Sequence, residues 1–75
     1  MKIEIKFCVV WNYTPQAARL AEELISKYRQ RITQITLIPS EGGCFEVTLA
    51  GKLIFSKLER GRFPDHQEIF RSIGD

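Results

Sequence analysis

Cysteine is scarce in this chain: Cys8 and Cys44 are its two thiols among 75 residues, with a single histidine, His66. Two thiols cannot build the disulfide framework of a small secreted domain. Together with one imidazole they do not fill a four-ligand metal site. Long hydrophobic runs are also missing, and no apolar stretch approaches the roughly 20 residues that a membrane span needs. The chain opens directly on a strand-like Met1-Lys2-Ile3-Glu4-Ile5 with no signal-peptide pattern, so the cytoplasm is the expected compartment. Charge of one sign is missing as well: Lys and Arg total 11, Asp and Glu 9, for a net charge of +2. The basic residues are scattered (Lys27, Arg29 and Arg31; Lys57, Arg60 and Arg62) and are not interleaved with exposed aromatics, which argues against a nucleic-acid partner. No repeat or linker divides the chain, so one domain over 1–75 is expected. At this length the core supplies only ~3–5 kcal/mol of net stability. That leaves no room for a deep cavity and confines any chemistry to strand ends or a helix start.

What is present reads as a short alternation of strands and helices. Ile3, Ile5, Phe7 and Val9 alternate with Lys2, Glu4, Lys6 and Cys8, the period of a strand with one dry face. Thr14 followed by Pro15 predicts a helix start, with a hydroxyl cap and a proline where its missing N–H costs nothing. Ala17, Leu20, Ala21, Leu24, Ile25 and Tyr28 then fall on one helical stripe. Ile32 to Ile38 is rich in β-branched residues and predicts a second strand, with Ile35 and Leu37 inward. Pro39-Ser40-Glu41-Gly42-Gly43 has the composition of a loop. Phe45, Val47 and Leu49 alternate with Cys44, Glu46 and Thr48 in a third strand. Ala50-Gly51-Lys52 connects it to a fourth, Leu53 to Ser56. Lys57 to Pro64 reads as a charged loop. Asp65, with Glu68 three residues on, has the capping-box spacing of a last helix striped by Ile69, Phe70 and Ile73. The polar in-between residues of the strands predict one wet sheet face and both helices on the other, a two-layer α+β sandwich of the α/β kind. Strands one and two should be parallel across the first helix, and strands three and four antiparallel.

The functional signal lies in Phe7-Cys8-Val9-Val10-Trp11-Asn12-Tyr13. A cysteine between a strand and a helix is where thiol-redox folds place their reactive sulfur. A second cysteine normally follows three residues on, and here that place holds Trp11. Two readings of Cys8 stay open: a thiolate favoured by a nearby helix N-terminus, presented to solvent at the sheet rim, or a small space-filling hydrophobe. Trp11 and Tyr13 form either an exposed aromatic patch that docks a partner or a cover for the mouth of the core. Arg60-Gly61-Arg62-Phe63 reads as an anion-binding loop or as a glycine turn anchored by Phe63. His66 reads as a plain surface residue, and Glu46 as a solvent-facing strand residue with the parity to influence a nearby thiol.

Several spaced signals together resemble the selenoprotein W-like (Rdx) family. They are Phe7-Cys8-Val9-Val10-Trp11, Gly43-Cys44-Phe45-Glu46-Val47, Gly51-Lys52-Leu53, Ser56-Lys57 and Gly61-Arg62-Phe63-Pro64. The resemblance runs over nearly the whole chain. It implies a thioredoxin-like βαβββα fold with a mixed four-stranded sheet and both helices on one face. It also implies thiol–disulfide exchange or mixed-disulfide formation through Cys8, an oxidoreductase-like activity with no bound cofactor. Protein thiols and disulfides, or glutathione, would be the partners. Trp11 stands where such proteins carry the second cysteine or selenocysteine, so the dithiol motif is incomplete. The tryptophan codon is a single base from the UGA that encodes selenocysteine, and the genomic codon decides whether Trp11 is native or a replacement. In the implied fold the start of strand three meets the end of strand one, which puts Cys44 beside Cys8 as a candidate resolving thiol. The rival expectation is an inactive interaction module that uses Trp11, Tyr13 and Phe63, or an exposed sheet edge through which the domain also forms a homodimer.

Overall fold

The computed structural model describes residues 1–74. Strand β1 (Lys2–Cys8) leads to helix α1 (Thr14–Tyr28), and a single 3-10 turn (Arg29–Arg31) precedes β2 (Gln34–Ser40). Strands β3 (Phe45–Leu49) and β4 (Lys52–Ser56) form a hairpin, followed by a one-turn helix α2 (Lys57–Arg60) and by α3 (His66–Ile73). The sheet order is β2-β1-β3-β4, with β1 parallel to β2 and antiparallel to β3, and β3 antiparallel to β4.

The alternation in β1 does what its period requires. Ile3, Ile5 and Phe7 are buried with Leu20 and Leu24 of α1, Phe45 and Val47 of β3, Phe55 of β4 and Ile69 of α3. Both long helices therefore cover one face, and Lys2, Glu4 and Lys6 point to the open one. Burial of apolar surface holds these layers together at about 25 cal/mol per Å². The chain ends are tied back by Tyr28 of α1, whose hydroxyl donates to the carbonyl of Gly74 at 2.9 Å.

Five local features differ from the sequence-based expectation. The α1 cap is Tyr13 rather than Thr14, because the Tyr13 carbonyl already accepts the Ala17 N–H at 3.1 Å. Ile25 is exposed, since it falls at the edge of the stripe beyond the reach of the sheet. β2 runs two residues later than expected and includes Pro39 and Ser40. It is an edge strand, where a missing N–H leaves no ladder partner stranded. Leu37 has the inward register expected of it, opposite Ile5, but remains exposed at that edge. Lys57–Arg60 closes a helical turn instead of a loop, ended by Gly61 in the left-handed region at φ 73°.

The last helix starts as its spacing predicts. Gln67 N–H donates to Asp65 Oδ1 at 3.0 Å and Asp65 N–H donates to Glu68 Oε1 at 2.9 Å, a complete capping box. No helix among the described residues is long and apolar enough to cross a membrane.

Candidate functional site

Cys8 is the last residue of β1, where alternation after Phe7 would turn its side chain to the open face of the sheet. It is nevertheless fully buried, at 0% exposure, which corrects the expectation of a sulfur presented to solvent. The strand does not continue to Val9. The chain turns, with Val9 N–H on the Ser40 carbonyl (2.9 Å), Asn12 N–H on the Val9 carbonyl (3.0 Å) and Tyr13 N–H on the Cys8 carbonyl (2.9 Å). Asn12 supplies the left-handed conformation this turn needs, at φ 58°, and asparagine tolerates that region better than most residues. The fold-back brings the Trp11 N–H to 3.3 Å from Cys8 Sγ, where it donates to the sulfur. Trp11 has thus lost the thiol expected three residues after Cys8 but keeps a backbone donor on the first one.

Cys44 lies across from Cys8. The register pairs Phe7 with Phe45, so one step further sets Cys8 opposite Cys44, and Cys8 N–H donates to the Cys44 carbonyl at 2.8 Å. Directly opposed residues of antiparallel strands have Cα atoms about 4.5–5.5 Å apart, inside the range that a disulfide spans. Both thiols are free and buried, Cys44 at 6% exposure. Neither is a member of the cluster formed by Ile3, Ile5, Phe7, Phe45 and the helix residues packed on them. Glu46, next on the same face, accepts from Ser56 Oγ at 3.3 Å.

The turn beside this pair is exposed. Val9, Val10 and Trp11 are 49%, 69% and 60% exposed. The Trp11 ring rests on Gly43, the residue before Cys44: a Cβ there would come to 2.6 Å from Trp11 Cζ3. The sequence marks Gly43 as a loop glycine and as part of a family-like stretch, but not its seat under Trp11, because that contact joins segments distant in sequence.

Trp11, Tyr13 and Phe63 are brought into one array. Trp11 meets Tyr13 edge-on at 6.2 Å, Tyr13 meets Phe63 at 4.7 Å, and Phe63 meets Phe45 at 5.4 Å. Lys57 Nζ lies 5.3 Å from the Tyr13 ring and 5.2 Å from that of Phe63, a cation–π contact. Only Trp11 of the three is exposed; Tyr13 and Phe63 are half-buried and help close the core. Arg60 and Arg62 both turn to Glu68, with Arg62 Nη2 at 3.1 Å from Oε2, so that loop is occupied by an internal carboxylate. The Arg62 guanidinium, and then the Asp65 N–H, hold the Glu68 carboxyl down at about 2. His66 is half-buried at the start of α3, more enclosed than a plain surface residue.

A small βαβββα domain with a thiol at the strand-to-helix turn falls in the thioredoxin-like class. The chain belongs to the Rdx family, which it matches over residues 2–75. The crystal structure of a selenoprotein W-related protein from Vibrio cholerae superposes with a TM-score of 0.92 at 29% identity, covering 96% of this chain and 90% of that one. A Bordetella parapertussis protein superposes with a TM-score of 0.92 at 25% identity, covering 96% of this chain and 91% of its own. No curated protein matches the sequence.

Proposed function

We propose that the protein is a thiol–disulfide exchange protein in which Cys8 attacks and Cys44 replaces the missing second thiol of the motif. The observation that carries this reading is the 2.8 Å hydrogen bond from Cys8 N–H, at the end of β1, to the carbonyl of Cys44, the residue before β3. In the first step the Cys8 thiolate attacks one sulfur of a substrate disulfide, forming a mixed disulfide and releasing one substrate thiolate. In the second, the Cys44 thiolate attacks Cys8 Sγ, the mixed disulfide breaks, and the second substrate thiol leaves. Two protein thiols are oxidised and one substrate disulfide is reduced. An external thiol such as glutathione resets the pair, in the cytoplasm, where such thiols are kept reduced. No bound cofactor is needed, and protein disulfides or mixed disulfides with glutathione are the substrates.

The burial of Cys8 sets the gate. The exposed 9–11 segment turns back over it and donates the Trp11 N–H to its sulfur. Local opening of a turn is far less costly than global unfolding. The test is mild hydrogen peroxide followed by non-reducing mass spectrometry. The expected result is a loss of two hydrogens with a cross-link between the Cys8 and Cys44 peptides, absent in Cys44→Ser. Single-thiol oxidation of Cys8 with no cross-link would sink the resolving role. Complete resistance of Cys8 to oxidation and alkylation in the folded protein would sink the redox reading as a whole.

One observation favours the second reading, an interaction module. Val9, Val10 and Trp11 expose a contiguous apolar tip, as a docking loop would. The edge strand β2 is seven residues long and offers a further site for a partner strand or a second copy. If Cys8→Ser and Cys44→Ser leave partner capture intact while Trp11→Ala abolishes it, this reading replaces the first.

A further inference from the structure

The two edges of the sheet are not alike. β4 is guarded by Lys52 at its start and by the irregularity that shifts its register against β3, both of them features that discourage a further strand. β2, Gln34-Ile35-Thr36-Leu37-Ile38-Pro39-Ser40, carries no charge. The Ser40 carbonyl accepts the Val9 N–H, so the even-numbered residues of β2 turn their backbone groups to β1. Alternation turns those of Ile35, Leu37 and Pro39 outward, and the proline stands where an N–H is not needed. Leu37 is 41% exposed on the helix-covered side of this edge. A second apolar strip lies above it. Helix α1 meets α3 along one flank, where Lys27 Nζ lies 5.3 Å from the Phe70 ring, and α3 packs on β4 at the far side of the sheet. Ile25, two residues before Lys27, is about 200° round the helix from it. It therefore overhangs the β2 side, and it is 52% exposed. Ala21 and Ala18 extend the same flank.

We infer that β2 pairs with β2 of a second copy of this chain, antiparallel and about a two-fold axis at Leu37, joining two four-stranded sheets into one. The match of donors and acceptors selects this register. The Leu37 N–H and carbonyl exchange bonds with their two-fold mates, and each Ile35 N–H meets the Pro39 carbonyl of the other copy. The Ile35 carbonyls, opposite a proline, stay with water. An axis at Ile35 would set Leu37 opposite Thr33, whose N–H is already given to the Met1 carbonyl at 2.9 Å. No like charges meet across the pair. A second copy fits better than a lone strand because it also brings α1. Two-fold pairing lays the two helices side by side above the joined strands, where Ile25 and the alanines beside it cover their mates. An extended peptide would cover Leu37 and leave Ile25 wet. The molecule measures 32 × 20 × 19 Å, so the joined edges bury about 900 Å² in total, the range of weak, reversible association. The inference rests on the edge-strand part of the second reading, and its failure leaves the Trp11 tip and the thiol chemistry untouched.

The test is sedimentation velocity of the full chain in reducing buffer, at protein concentrations from about 10 μM to about 1 mM. The expected result is a monomer–dimer equilibrium with a Kd of about 0.1 mM. Leu37→Lys sets two lysines against each other at the axis and should weaken it about tenfold or more. Leu37 and Leu53 are both exposed, so Leu53→Lys is a matched control on the other edge and should leave the equilibrium unchanged. Register is read separately by Leu37→Cys in a Cys8→Ser, Cys44→Ser background oxidised with diamide. Directly opposed residues lie about 4.5–5.5 Å apart, so a disulfide-linked dimer should form, and Leu53→Cys should give none. A chain that stays monomeric at about 1 mM overturns the proposal. So does a dimer that survives Leu37→Lys, or one dissolved by Leu53→Lys or by Trp11→Ala. Binding of a peptide with the 34–40 sequence to a chain that remains monomeric would assign the edge to a lone strand, and overturns it too.

Discussion

A methyl group added at Gly43 would come within 2.6 Å of Trp11 Cζ3, and Gly43 itself sits at φ 73°. Gly42, its neighbour, has φ 78° with nothing within 4 Å of the same added atom. The pair separates two effects. Gly42→Ala should lose only the backbone freedom, about 1 kcal/mol, or about 4–8 °C in Tm for a domain of this size. Gly43→Ala should lose that much and also push the indole off its seat, so that the emission of the sole tryptophan shifts to the red. Equal emission from both variants would show that the ring does not depend on Gly43. The same displacement should speed alkylation of Cys8 several-fold in Trp11→Ala, read by mass spectrometry under native conditions. At this scale the sequence marked the two cysteines but not their enclosure. The outward parity of Cys8 and Cys44 follows from alternation with Phe7 and Phe45. The burial of both rests on a turn closed by Asn12 at φ 58° and on a tryptophan reaching a glycine far along the chain, and neither leaves a periodic trace.

Helix α3 is held by its first turn. Asp65 caps it, Glu68 reaches back to the Asp65 N–H, and Arg62 and Arg60 gather on Glu68 from the preceding segment. Asp65→Ala should lower stability by about 1 kcal/mol, measured by denaturant unfolding at neutral pH. Glu68 adds a pH dependence whose sign follows from its depressed carboxyl. With a value of 4.5 in the unfolded chain and about 2 when folded, its contribution is complete above pH 4.5 and is lost as pH falls towards 2. Because the group is near solvent, screening makes this contribution smaller than the displacement alone implies. The difference in unfolding midpoint between the parent and Glu68→Gln should therefore be full at pH 6 and shrink steadily between pH 4.5 and pH 2. A constant difference across that range would mean that the carboxylate charge is not what holds the turn. The capping box was legible because it is a local spacing rule. The Lys57–Arg60 turn was not, since a run of charged residues before a glycine suits a loop equally well. Nor was the break in register between Val47 and Thr48 that sets β4 against β3, because alternation within one strand is silent about how its neighbour pairs.

For the molecule as a whole, the apolar core is one layer between α1, α3 and a single sheet face, while Lys2, Glu4 and Lys6 of β1 lie on the other. That division explains why the fold was read more fully than the site. Burial of an amphipathic stripe is imposed residue by residue on the sequence, whereas a site on the open face depends on which loops happen to meet. It also separates stability from function in a measurable way. Leu24 is fully buried in the core, and Leu53 is exposed at the β4 edge. Leu24→Ala should cost roughly 2–5 kcal/mol, comparable with the whole ~3–5 kcal/mol that a domain of this size retains. The variant should then be largely unfolded at 25 °C by far-ultraviolet circular dichroism. Leu53→Ala should stay within about 0.5 kcal/mol of the parent. Cys8→Ser and Cys44→Ser are the informative intermediates: outside the core cluster, each should keep the two-state transition and a folded spectrum while removing the oxidative cross-link. If either serine variant unfolds as readily as Leu24→Ala, the two sulfurs are structural filler, and their facing across β1 and β3 serves packing rather than exchange.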